Sequence, residues 1–154
     1  MDYKDPNTGL EEVIVAIGEL SSAAKLNIAD VSSVVFATTS FSEAAGGNID
    51  VTVVYNEKIT VNTSGGTPTI TVTNSQAGSG TDATFTAAYQ SGTGTNKLTF
   101  RKTYAAGNGG VAENDVLSIA NQNIALNSGT LVDGEAVNAA VAIASVTDTL
   151  TVSA

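Results

Sequence analysis

From about residue 30 onward, apolar and polar residues alternate in short runs separated by glycine-rich clusters. Ile49, Val51, Val53 and Tyr55 alternate with Asp50, Thr52 and Val54; Ile59 and Val61 with Thr60 and Asn62. Ile70 and Val72 alternate with Thr69, Thr71 and Thr73; Phe85 and Ala87 with Thr84, Thr86 and Ala88; Leu98 and Phe100 with Thr99 and Arg101. Successive residues of a strand point to opposite sides, so each run predicts a strand with one apolar face. Gly46-Gly47-Asn48, Ser64-Gly65-Gly66-Thr67-Pro68, Gly78-Ser79-Gly80, Ser91-Gly92-Thr93-Gly94 and Gly107-Asn108-Gly109-Gly110 supply the turns. Half-buried strands recurring at this spacing predict an all-β fold, a sandwich of seven or more strands over residues 31–154.

The first thirty residues read differently. Thr8-Gly9-Leu10-Glu11 has the spacing of a helix start, and Leu10, Val13, Ile14, Ile17, Leu20 and Ala24 follow helical spacing. The reading favours a short helix over residues 10–26, although Val13-Ile14-Val15-Ala16-Ile17 also suits a strand. A lone helix of this length is marginal in water and cannot bury its own apolar face. Residues 1–30 are therefore expected to be a docking or oligomerisation segment, with Leu10, Val13, Ile14, Ile17 and Leu20 as the interface.

Composition narrows the chemistry. The 154 residues suffice for one domain with its own core. Cys and His are both absent, so there is no disulfide framework, no thiolate and no imidazole base or metal ligand. Fifteen acidic residues against six basic ones give a net charge of −9. Duplex binding needs clustered cations, so nucleic acid is not an expected partner. The longest apolar run, Val13 to Ile17, is too short to span a bilayer, and membrane insertion is not expected. The N-terminus lacks the basic and apolar regions of a secretory signal.

Several pieces in order resemble the bacterial immunoglobulin-like repeats of surface adhesins and phage virion proteins. Ile49-Asp50-Val51-Thr52-Val53-Val54-Tyr55-Asn56-Glu57-Lys58-Ile59-Thr60-Val61 resembles that family's strand, acidic kink and strand. Gly66-Thr67-Pro68-Thr69-Ile70-Thr71-Val72 resembles the next strand, and Tyr89 to Phe100 the hairpin. Leu117-Ser118-Ile119 and Leu126 to Asp133 resemble the C-terminal stretch. The resemblance implies an immunoglobulin-like β-sandwich and a non-enzymatic role.

Joined to the missing export signal and the extra N-terminal segment, the resemblance implies a phage virion structural protein made in the host cytoplasm. A capsid decoration or cement protein is expected first, with the major capsid protein or another virion subunit as partner and a homo-oligomer as its state. The alternative is a tail-associated or cell-surface adhesion module that binds host glycans or proteins.

No catalytic or cofactor-binding residue is expected. The carboxylates Glu43, Asp50 and Glu57 are not grouped in sequence, as glycosidase chemistry would require. Gly107 to Gly110 lacks the Lys-Ser/Thr of a phosphate loop. The family often carries an acidic loop after its hairpin, and here Glu113, Asn114 and Asp115, with Asp133, are the candidate oxygen ligands for calcium. A solvated loop is the favoured alternative. Lys97, Arg101 and Lys102 form the only basic cluster, and the favoured reading is protection of a strand edge. Tyr55 and Tyr89 are expected in or beside the core with their hydroxyls at the surface.

Overall fold

The computed structural model describes residues 2–4, 11–13, 28–144 and 146–154. Two short strands, β1 (Asp2–Lys4) and β2 (Glu11–Val13), pair antiparallel with each other. The helix expected over residues 10–26 differs at its three described residues: Glu11–Val13 is strand, its backbone bonded to β1. Leu10, Ile14, Ile17 and Leu20 lie outside the described residues.

From residue 31 the alternation becomes strands: β3 (Val31–Phe36), β4 (Phe41–Ser42), β5 (Gly47–Asn62), β6 (Thr69–Asn74), β7 (Thr84–Ser91) and β8 (Thr95–Tyr104). Five shorter strands follow: β9 (Val116–Ser118), β10 (Gln122–Asn123), β11 (Thr130–Val132), β12 (Ala142–Ile143) and β13 (Thr149–Ser153). No helix occurs among the described residues.

Nine strands form one curled sheet in the order β11-β5-β8-β7-β6-β9-β13-β4, with β3 also paired to β5. β10 and β12 pair separately. The 16-residue β5 is the backbone of the arrangement. Its first half lies between β3 and β8, and its last residues pair with β11. What reads as two strands around a kink is one strand, whose register with β8 shifts between Val54 and Ile59.

The concave face of the sheet holds the core. Ile49, Val51, Val53 and Tyr55 of β5, Ile70 and Val72 of β6, Ala87 of β7, and Leu98 and Phe100 of β8 are all at most 1% exposed. Each large apolar side chain buried this way contributes about 1.5–3 kcal/mol, so the alternation in sequence is the main force selecting the register. A slip of one residue would put every one of these side chains in water. The Tyr55 hydroxyl, expected at the surface, instead donates to the Ala140 carbonyl at 2.9 Å. Burial pushes that hydroxyl's pKa well above its ordinary value. Tyr89 is half-buried, and its hydroxyl accepts from Thr93 N–H in the β7–β8 turn. Gly92 in that turn has φ +114°, and an added Cβ there would collide with the Lys97 carbonyl.

The antiparallel pairings β3–β5–β8–β7–β6–β9–β13 bring β13 back running in the same sense as β3. Phe36 N–H donates to Asp148 Oδ2 at 2.7 Å, so the curl nearly closes on itself.

Candidate functional site

Two regions organise polar side chains. The first is the end of the sheet where loops 75–82 and 105–115 meet the turn after β4. Asp115, fully buried just before β9, is its centre. Asp115 Oδ2 accepts from Asn74 Nδ2 and Ala112 N–H, both at 2.8 Å. Oδ1 accepts from Gly78 N–H at 2.7 Å. Burial alone would raise this carboxyl's pKa. Hydrogen bonds from Asn74, Ala112, Gly78 and Gly80 outweigh it and hold the group below the usual carboxylate range. Gly80 lies so close that an added Cβ would strike Asp115 Oδ2.

The same loops are zipped together by backbone bonds. Thr81 N–H and Asp82 N–H donate to the Gly109 and Gly110 carbonyls, and Gly109 N–H donates to Glu43 Oε1. Tyr104, at the end of β8, donates its hydroxyl to Asp82 Oδ2 at 2.9 Å. Its ring meets Phe85 edge-on at 5.4 Å, and the Lys102 ammonium sits 5.1 Å from the ring centroid. Burial and the Asp82 carboxylate together push the Tyr104 hydroxyl's pKa up.

The calcium candidates do not converge. Glu113 is exposed, whereas Asp115 has both oxygens engaged by N–H donors. Asp133 stands on another turn, after β11, where its Oδ1 accepts from Glu135 N–H and Val137 N–H at 2.9 Å each. Its Oδ2 is buried with no hydrogen-bond partner among the described residues. No group of three or more Asp, Glu, Cys or His that could hold a metal ion occurs among the described residues.

The basic cluster is also split. β8 lies between β5 and β7, so Arg101 protects no edge. Arg101 faces Asp50 directly across the ladder and donates to both of its carboxylate oxygens, at 2.6 and 2.7 Å. Lys102 has the opposite strand parity, and Lys97 is exposed near the hairpin.

The second region is the seam where the curled sheet fails to close. A cleft of about 280 Å³ separates Ser32–Val35 of β3 from the segment ending in Val146-Thr147-Asp148. β3 is paired only to β5, so its other edge faces this cleft. Val35 is 41% exposed, one of two large apolar side chains so placed among the described residues. Sequence reading missed the seam because nothing links residues 32–35 to 146–148 before folding. Of the expected interface residues, four lie outside the described residues, and Val13 pairs in β2 opposite Asp2.

No protein-family model, curated protein or solved structure matches the chain.

Proposed function

We propose that this chain is a non-enzymatic structural subunit, an immunoglobulin-like β-sandwich displayed on a phage particle as a capsid decoration protein. The all-β fold around one buried apolar core supports the sandwich reading. The observation that carries the non-enzymatic reading is how the carboxylates are used. Asp115 holds two loops, Asp82 a tyrosine, Asp50 an arginine and Asp148 a backbone N–H. Acid–base hydrolysis needs carboxyl groups facing one substrate space instead.

The zipped loop end favours a second reading, a tail-associated or cell-surface adhesion module. A binding surface gains affinity when its loops are ordered beforehand.

Electron microscopy of purified particles labelled with an antibody to this chain tests the proposal. Label distributed over the head is the expected result. Label confined to the tail supports the second reading, and unlabelled particles overturn both. A panel of glycan, ester and peptide substrates is expected to give no turnover. Turnover lost on a single Asp→Asn or Glu→Gln change overturns the non-enzymatic role.

A further inference from the structure

The outer edge of β3 is covered at both ends and open between them. At its start, the Ala29 carbonyl accepts from Ala140 N–H at 2.8 Å. At its finish, Phe36 N–H is held by Asp148. Between these fastenings lie Ser32–Val35, bordering the cleft. Four residues of strand extend over about 13 Å. A strand edge left open next to apolar surface is a template for another extended segment.

The walls select what can enter. Val35, Ala144 and Val146 are apolar, Ser33 and Thr147 are neutral, and the one charged group, Asp148, is already bonded to Phe36. Outside the described residues, the sequence holds one uncharged run of matching length rich in β-branched residues, Ile14-Val15-Ala16-Ile17. It directly follows β2, so the chain approaches it in extended conformation. We propose that the seam is the acceptor for this run from a second copy of the chain, added as a short strand antiparallel to β3.

The path of the chain into β3 favours a second copy over the same one. Ala29 is fully buried. Asp30 N–H donates to Asn56 Oδ1, and Asn56 N–H donates to the Asp30 carbonyl. The lead-in is thus held between β5 and residue 140. To reach the cleft, which residues 144 and 146–148 line, a run from the same chain would have to fold back past the Ala29–Ala140 bond. Connections avoid such crossings. A run from a neighbouring molecule arrives from solvent and crosses nothing.

This rests on the reading of the chain as a self-assembling subunit. The test reads association of the purified full chain, whereas particle labelling reads its place in a virion, so the two can fail separately. The chain has no native Cys, so introduced thiols report without background. Val35→Cys or Ser33→Cys protein is mixed under mild oxidation with size-tagged Val15→Cys or Ala16→Cys protein. A disulfide-linked heterodimer from at least one mixture is expected, several-fold above that given by Thr86→Cys, an exposed control on β7. Adding Val15→Pro to the Ala16→Cys donor, or Ala16→Pro to the Val15→Cys donor, should abolish it, since proline cannot donate to the ladder. Heterodimer no more abundant than the control overturns the proposal. So does an intrachain link in a dilute Ala16→Cys/Val35→Cys double variant, which would place the run on its own sheet.

Discussion

Phe36 and Asp148 stand 112 positions apart, yet the backbone N–H of one donates to the carboxylate of the other at 2.7 Å. The bond fastens β3 to the residue just before β13 and defines the closed end of the seam. A hydrogen bond to a charged group contributes about 1.5–3 kcal/mol, less where it is partly exposed. Asp148→Ala should therefore cost about 1–2 kcal/mol. Asp148→Asn should cost less, because an amide oxygen still accepts. Urea denaturation of the three proteins checks this, with an unchanged m-value showing that only native stability moved.

Asp115 should be the most sensitive carboxylate. Asp115→Ala leaves a buried donor from Asn74 and half-buried donors from Ala112 and Gly78 without an acceptor. Each such donor costs about 1–3 kcal/mol, so a loss of about 3 kcal/mol or more is expected. Gly80→Ala should also destabilise, since its Cβ would push into the same carboxylate. Thermal unfolding measures both.

The same carboxylate should make stability fall in acid. Its folded pKa lies below the ordinary value, so protons bind the unfolded chain more readily. The stabilisation is complete above the unfolded pKa of about 4. It is lost as pH falls through the folded value. Unfolding free energies between neutral and strongly acidic pH should drop in the wild type and drop less in Asp115→Asn. Equal slopes would show that Asp115 is not the titrating group.

Calcium should leave the melting temperature unchanged. A ligand that binds only the folded state raises that temperature, but the oxygens of Asp115 are already taken by N–H donors. Differential scanning with millimolar calcium and then chelator is the measurement. A reversible rise would mean that Asp133, with its unpaired Oδ2, gathers ligands after all.

Deleting residues 1–26 should leave a folded, soluble chain that no longer associates. Circular dichroism and light scattering together decide the matter. Unfolding would make the segment part of the core, and retained association would place the contact on the sheet.

The inward residues of β5 to β8 were legible because period-two alternation reports burial directly: Val51, Val53, Ile70, Val72, Leu98 and Phe100 are all buried. β3 was not singled out as a run, because Val31-Ser32-Ser33-Val34-Val35-Phe36 breaks the alternation. The structure shows why: its register with β5 shifts between Val31 and Ser33. Asp115 was noticed for its oxygens, but its partners Asn74 and Gly78 lie 41 and 37 positions away. Whether a carboxylate faces a metal or a cage of N–H groups is decided by loops that meet only after folding. The basic cluster misled for a similar reason, since strand order, which sequence does not print, put β8 inside the sheet.

β13 comes after every strand it touches, yet it sits between β9 and β4 and not at the rim. While the chain emerges from a ribosome, those neighbours exist before the strand that joins them. Until residues 149–153 are free, β9 and β4 lack the shared partner to which both are bonded in the finished sheet. Exposed strand edges of that kind make partly folded chains stick to one another. A protein produced in many copies at once would meet this hazard most acutely during synthesis, and its acidic charge would then repel neighbouring nascent chains before any of them had closed.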